Sequence, residues 1–280
     1  MTLYDSPPLF ERIGFASAVA GKQVKYHVTL LLRSPMGIFT ALIIPLMLLV
    51  VLNVATPTMA LRELHGIRYA DFLTPAMATF AIVNACYVNV ITSTVLAREE
   101  GILKRLHGTP LPLWAYIVGR MAAAAAVALT ALVVIFGVGA LFLDVPLDAG
   151  RIADVAGVTA LGAATFTTLG MAVSTLVSRP DTALPIAYGT LLPVAFVSNL
   201  FFPATTGPSW LRHVADLFPL APIAKATERI FATGTAKWPM SQGELTVILA
   251  WIGATALLSA VAFRWQPGES PLSRWNIFRR

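Results

Sequence analysis

Apolar residues run along the chain in six long stretches that contain no Asp, Glu, Lys or Arg. Each has at least 19 residues, and they are 34–61, 72–97, 121–143, 155–178, 182–211 and 245–263. A helix rises about 1.5 Å per residue, so roughly 20 apolar residues cross the hydrocarbon core of a bilayer once. The stretches lack the period-2 alternation of barrel strands. The pattern therefore predicts six transmembrane helices.

The expected fold is an all-α integral membrane protein with three parts. Residues 1–35 are predicted to form a cytoplasmic tail and an interfacial helix, because apolar residues recur there at helical spacing between basic ones. Residues 36–265 form the transmembrane domain, and residues 266–280 form a cytoplasmic C-terminal tail. The predicted spans are 37–56, 73–96, 115–142, 154–177, 183–202 and 245–263.

The connection between the fifth and sixth predicted spans, residues 203–244, is long for a loop without structure of its own. Ser209 can cap one short helix that reaches about Phe218, and residues 223–231 have the amphipathic pattern of a second. The pattern fits both an ordinary extracellular loop and a partly re-entrant helical hairpin.

The charged residues give these spans an orientation. The net charge is +6, and only 12% of residues are charged, about half the share of a soluble domain. With a cytoplasmic N-terminus, the inner segments hold 13 of the 20 Lys and Arg residues. The basic balance thus indicates topology in the cell membrane rather than nucleic-acid binding, and both termini are predicted to be cytoplasmic.

The sequence contains no pattern typical of catalysis, metal binding or nucleotide binding. The four histidines lie far apart, no G-x-S-x-G elbow occurs, and Gly21-Lys22 lacks the residues that a phosphate-binding loop needs around it. The six stretches also contain no carboxylate, which disfavours an ion-coupled carrier. We therefore predict a non-catalytic chain with no cofactor of its own.

Uncharged polar residues remain inside the predicted spans, and they are candidates for a weakly polar substrate path. The alternative is hydrogen bonding and close packing between helices, which the Gly-x-x-x-Ser spacing of Gly170 and Ser174 favours. The candidate path residues are Asn53, Asn84, Tyr87, Asn89, Thr168 and Asn199.

The segment 98–112, between the second and third predicted spans, carries the most specific signal. Acidic residues come first and basic residues last, as a helix dipole prefers, and Gly108 and two prolines would end a helix. We expect an amphipathic helix whose first turn is acidic and on which Ile102, Leu103 and Leu106 are apolar docking points. The alternative is a solvated interfacial turn.

Three motifs in this order resemble the ABC-2 family of ABC transporter permeases, of the daunorubicin-resistance type. They are Arg-Glu-Glu-Gly-Ile-Leu-Lys-Arg-Leu followed by Thr-Pro-Leu-Pro within 98–112, Leu-Arg-Ser-Pro at 32–35 with Pro45, and Phe-Pro-Leu-Ala-Pro at 218–222 before Ala-Lys-Ala-Thr-Glu-Arg. The family pattern commonly has Thr where this chain has Ile102.

The resemblance implies a fold like that of type V exporters and a half-transporter that pairs with a second permease subunit as a homodimer or heterodimer. A separate ATP-binding subunit, which binds ATP and Mg²⁺, would dock at the cytoplasmic face. Residues 22–33 would be the elbow helix and 204–232 the short outer helices. The coupling helix seated in the ATPase subunit would contain Arg98, Glu99, Glu100, Gly101, Leu103, Lys104, Arg105 and Leu106.

The function that this resemblance implies is ATP-driven export of a lipophilic drug, antibiotic or lipid-like compound. Export of a lipid or a lipid-linked glycan is an alternative within the same family. Outside it, the alternatives are an ATP-independent carrier or channel and a lipid-modifying membrane enzyme, for which no polar catalytic cluster is visible.

The predicted topology is testable with tags on intact cells. We expect tags at both termini to stay unreactive towards membrane-impermeant reagents until the cells are opened, because the basic segments face the cytoplasm. A tag inserted in 203–244 is the control and should react at once. Reaction of either terminal tag on intact cells would contradict the orientation.

Overall fold

The computed structural model describes residues 39–55, 68–108, 113–146, 149–198, 200–201, 209–231 and 238–263, and the single positions 21, 25 and 29. Over these residues the secondary structure is helical, with no strand. Apart from the three single positions, the predicted elbow within 1–35 lies outside the described residues, as does the tail at 266–280. The helices are α1 (Ile44–Ala55), α2 (Tyr69–Val83), α3 (Asn89–Glu99), α4 (Ile102–His107), α5 (Leu113–Phe142), α6 (Ile152–Ser174), α7 (Pro180–Val197), α8 (Ser209–Leu217), α9 (Leu220–Phe231) and α10 (Gln242–Ala262).

Helices occupy all six apolar stretches, with ends that differ from the predicted ones by a few residues. A π-helical turn, Asn84–Val88, joins α2 and α3 into one continuous rod, and another, Phe39–Ile43, precedes α1. Helix α7 begins at Pro180 rather than 183, because proline suits the first turn of a helix and Asp181 supplies a carboxylate there.

Among the described residues, four helical segments are long and apolar enough to cross a membrane. They are Tyr69–Glu99, Tyr116–Phe142, Ile152–Ser174 and Gln242–Ala262. Ala41–Ala55 is a shorter apolar helix. Helix α7 has 18 residues and contains Pro185 and Pro193. The chain is thus an all-α membrane protein, whereas six crossings stay a prediction.

The rod formed by α2, the π-helical turn and α3 is the centre of the bundle. Every residue from 73 to 91 is buried, although this segment includes Thr74, Asn84 and Asn89. It packs against α1, α5, α6, α7 and α9. A helix that is enclosed on all sides needs partners for its polar groups within the bundle, and it can have no lipid-facing stripe.

Small residues let the helices approach closely at this centre. A Cβ atom added to Gly170 of α6 would lie 3.0 Å from the main-chain oxygen of Tyr87, in the π-helical turn. On α5, a Cβ atom at Gly139 would lie 2.8 Å from Cγ2 of Thr74. The distance at Gly139 is shorter than real Cβ contacts, and the distance at Gly170 is tighter than most of them, so each glycine permits a helix spacing that a larger residue would widen.

Charged side chains tie the helix ends together on the side where α9 ends and α10 begins. Arg229 makes a bidentate ion pair with Glu244, with distances of 2.7 and 2.9 Å, and this hydrogen bonding raises the pKa of Arg229 above its ordinary value. Glu244 also completes a capping box with Ser241 at the start of α10. Arg151 donates to the main-chain oxygen of Arg229 at 3.0 Å. The starts of α6 and α10 are thus joined to the end of α9.

Helices α8 and α9 turn back into the bundle. The indole N–H of Trp251 donates to the main-chain oxygen of Leu217 at 2.8 Å, and Trp251 lies seven residues below Glu244, about 10 Å along α10. Ile223 on α9 approaches the Cβ position of Gly162 within 3.7 Å. Because both contacts lie well along α10 and α6 rather than at the ends of these helices, they favour the re-entrant hairpin over an ordinary extracellular loop.

The close packing at Gly170 predicts an asymmetry between two glycines. Gly170→Ala places a methyl group against main-chain atoms that cannot rotate away, and we expect a loss of about 1–3 kcal/mol of unfolding free energy. Gly189→Ala is the control because that position has open space around it. Thermal unfolding of the purified chain measures both, and equal midpoints for the two variants would contradict the packing.

Candidate coupling segment and polar positions in the bundle

A glycine divides the segment that was expected to be one amphipathic helix. Helix α3 ends at Glu99, Glu100 follows, and Gly101 has a φ of +69°, in the left-handed region that favours glycine. The N–H of Gly101 bonds the main-chain oxygen of Arg98 at 3.1 Å, and α4 then begins at Ile102. The expectation of an acidic first turn is therefore wrong, because Glu99 and Glu100 end the long rod and α4 has no acidic residue there.

The segment has a charged outer side and an apolar inner side. Glu99, Glu100, Lys104 and Arg105 are exposed. Ile102 and Leu106 are half-buried, whereas the side chain of Leu103 is completely buried in the hydrophobic core. Leu103 was expected to be a docking point for a partner, but it anchors α4 to the bundle of its own chain. The surface open to a partner is the charged one.

Arg98, which was expected to face the ATPase subunit, points into the bundle instead. Its side chain is only 3% exposed. Nη1 donates to the main-chain oxygen of Val177 at 2.9 Å, and Nη2 donates to that of Ser174 at 3.0 Å. These acceptors lie at and just beyond the end of α6, where carbonyl groups lack partners within the helix. Arg98 thus caps the end of α6 from the end of α3.

A second buried arginine, Arg120 of α5, was assigned to an inner segment by the charge pattern. Its side chain is 6% exposed, and it donates to the main-chain oxygen of Val90 at 3.1 Å and to the hydroxyl of Ser93. It also lies over the ring of Tyr116, 5.9 Å from the centroid. Within the described residues it makes no ion pair. Its place seven residues into an apolar helix was the signal that it lies inside the bundle.

Two of the candidate path residues link the central rod to α7. Nδ2 of Asn84 donates to the main-chain oxygen of Phe80 at 2.8 Å, and its Oδ1 accepts from the hydroxyl of Tyr188 at 2.8 Å. The hydroxyl groups of Tyr87 and Thr190 are also 2.8 Å apart. Both contacts involve the π-helical turn. They hold α7 against the centre of the bundle.

Of the other candidate path residues, Thr168 and Asn53 make hydrogen bonds away from this group. Thr168 accepts from Thr255 of α10 at 2.9 Å, so it links α6 to α10. Asn53 is half-buried on α1 and donates to the oxygen of Leu49 at 3.2 Å. Asn89 is buried in α3. Asn199 lies outside the described residues. The polar positions are therefore distributed over several helix contacts.

Beyond Asp181 in its first turn, helix α7 exposes a face that carries no charge. Its exposed residues recur at helical spacing, and they include Pro185, Ile186, Gly189, Thr190, Pro193 and Phe196. Thr190, which bonds Tyr87, lies on this face. Across the described part of the chain, no three His, Cys, Asp or Glu side chains come together as metal ligands would. The polar surface available near the bundle centre is thus uncharged and small.

Comparison with known proteins gives two findings. Residues 24–231 match the sequence model of a family described as ABC-2 type transporter. The chain is also 24% identical over 197 residues to proteins named probable multidrug ABC transporter permease YbhR, from Escherichia coli strain K12 and from Escherichia coli O157:H7. The aligned region covers 67% of this chain and 51% of each relative. The chain therefore spans about half the length of the curated relatives it matches.

The burial of Leu103 predicts that it stabilises the isolated chain. Leu103→Ala removes a completely buried side chain, so we expect a loss of about 2–5 kcal/mol of unfolding free energy without any partner present. Leu96→Ala on α3 is the matched control, since Leu96 is exposed. Thermal unfolding of the chain purified alone makes the comparison. A Leu103 variant as stable as the Leu96 variant would mean that Leu103 serves a partner instead.

Proposed function

Because this chain belongs to the ABC-2 type transporter family, we propose that it is the transmembrane permease subunit of an ATP-driven exporter. The proposed cargo is a lipophilic drug, antibiotic or lipid-like compound that leaves the cell. The multidrug permease name of the relatives and the uncharged exposed face of α7 support an apolar cargo. Charged residues within membrane helices commonly mark the path of an ion or a strongly charged compound.

The observation that carries the proposal is the exposed charged side of the segment from Glu99 to Leu106. Two acidic residues at the end of α3 and two basic residues on α4 are accessible on a segment that Leu103 holds fixed. A rigid segment with complementary charges suits a docking contact in which movement of the partner must reach the membrane helices. We assign this segment as the coupling contact with an ATP-binding subunit.

The energy source is proposed to lie on that second subunit, with ATP and Mg²⁺ bound there and none on this chain. The family match supports a partner of this kind, and the printed sequence shows no phosphate-binding loop. A second permease subunit would complete the pathway, as a homodimer or heterodimer. Both termini would face the cytoplasm, so that the elbow helix and the coupling segment lie on the same side of the membrane.

In this arrangement closure of the ATPase dimer would move the coupling segments, and the paired permeases would change the side to which a central cavity opens. Asn84 and Tyr87 are proposed to line the path at the contact with α7, where Thr190 is exposed. The remaining candidates, Asn53, Asn89, Thr168 and Asn199, are proposed as secondary positions.

Charge reversal on the coupling segment tests the function. In the complex with its ATPase subunit, we expect Glu99→Lys combined with Glu100→Lys to reduce transport by about ten-fold or more, because the docking charges are inverted. Substrate-stimulated ATP hydrolysis and export from membrane vesicles are the measurements.

Glu228→Lys, which reverses an exposed carboxylate on α9, is the control and should leave both measurements near those of the unmodified complex. The chain purified alone should hydrolyse no ATP. Unchanged stimulated hydrolysis in the double variant would argue against the coupling contact. Turnover by a clean preparation of the single chain would refute the non-catalytic role.

A further inference from the structure

The contact of Arg98 joins parts of the chain that are distant in sequence. Arg98 lies in the last turn of α3, directly before Glu99, the first residue of the coupling segment. Its two acceptors are Ser174, the last residue of α6, and Val177, which lies three residues beyond it, and only Ser178 and Arg179 separate Val177 from the first residue of α7. One side chain therefore connects α3, α6 and the start of α7.

The surroundings of this contact make it stiff. Ser174, Thr175 and Val177 are all buried, with exposures of 2% or less. The Ser174 and Thr175 hydroxyls bond main-chain oxygens within α6, at 2.7 Å each. The side chains beside the contact are therefore fixed by bonds within their own helix. The guanidinium group of Arg98, with its fixed N–H directions, bridges the main-chain oxygens of Ser174 and Val177 in one geometry, which the single ammonium group of lysine does not reproduce.

A second pair of contacts lies further along α7. The hydroxyl of Tyr188 reaches Asn84, and that of Thr190 reaches Tyr87, so the π-helical turn holds α7 at its middle. Arg98 fixes the chain just before the first residue of α7. Two separated attachments hinder both rotation and translation of α7 relative to the central rod. We therefore expect the rod and α7 to move together as one rigid unit.

We propose that Arg98 is a positioning residue that transmits displacement of the coupling segment to α7. The inference rests on the proposed function, because it assigns the route by which docking movement reaches the uncharged exposed face. Arg98 acts through main-chain oxygens and does not touch the ATPase subunit. The ATPase subunit would displace the coupling segment through its exposed charged residues, which are Glu99, Glu100, Lys104 and Arg105. Arg98 would transmit this displacement to α7.

A purely stabilising role is the competing explanation, because removing a cap also lowers stability. The two roles differ in one quantity, which is the amount of substrate transported per ATP hydrolysed. A chain that is only less stable loses transport and hydrolysis together as the complex disappears. A chain with a broken linkage keeps its complex and its hydrolysis but loses transport.

The first experiment compares two lysine substitutions in the complex with its ATPase subunit. Arg68, which is more exposed than Arg98 and also pairs with Asp71, provides a control for position, because it donates to main-chain oxygens at a helix end, 3.5 Å to Leu143 and 2.6 Å to Asp144, but at the opposite end of the rod. We expect Arg98→Lys to retain the co-purified ATPase subunit and lower transport per ATP by roughly ten-fold. Arg68→Lys should leave this ratio unchanged. An unchanged ratio in Arg98→Lys, or an equal fall in both variants, would overturn the proposal.

The second experiment needs no variant of Arg98 and decides the matter if Arg98→Lys fails to accumulate. Spin labels are placed at Leu96→Cys and Leu176→Cys, which flank the contact on exposed positions, while the one native cysteine, Cys86, is buried. In the complex we expect their separation to stay the same with and without bound ATP. A change in separation between those states would refute the rigid linkage.

The label pair also separates failure of this inference from failure of the proposed function. In the chain purified alone, Arg98→Lys should broaden the distribution of separations, and an unaltered distribution would refute the linkage whatever the protein transports. If Arg98→Lys broadens the distribution but no ATPase subunit binds the chain or powers transport, the linkage is supported and the proposed function is refuted.

Discussion

Main-chain oxygens at helix ends must find donors when the ends lie in apolar surroundings, and in this chain arginine supplies many of them. Arg98 serves the end of α6, Arg68 the end of α5, and Arg151 the end of α9. Arg120 adds a bond to the oxygen of Val90 in the central rod. Each contact joins helices that are far apart in sequence. The relative positions of the helices therefore depend on a few guanidinium groups as much as on apolar packing.

Apolar packing and these polar contacts act at different levels of the bundle. At the centre, Gly170 lets α6 approach the main chain of Tyr87, and hydroxyl and amide groups of Asn84 and Tyr87 bond outwards to α7. A π-helical turn at this point places an extra residue in the helical turn, and such turns often occur at functional sites. Close packing fixes the spacing of α6, while hydrogen bonds select the partner face on α7.

The sequence predicted the location of the helices well because burial in lipid requires long stretches without charge. It also predicted a short helix between 98 and 112, where α4 lies, whereas the coupling role of this segment stays a prediction. It did not predict the inward orientation of Arg98 or Arg120, because their acceptors are main-chain oxygens far away in sequence or on another helix. A count of charged residues treats both as loop charges. Leu103 was misassigned for a related reason, since an amphipathic pattern does not show which body the apolar side contacts. The sequence analysis did not predict the left-handed conformation of Gly101, which separates α3 from α4.

The two acceptors of Arg98 described above are main-chain oxygens, which every amino acid carries. Positions 174 and 177 can therefore change side chain during evolution without losing the bond to Arg98, provided that the helix end keeps its place. The donor has no such freedom, since only a guanidinium group bridges two oxygens in this way. At this contact we expect the acceptor positions to vary among relatives while the arginine does not. Because only one side of the contact changes, the positions would not covary, and an alignment would not reveal the contact.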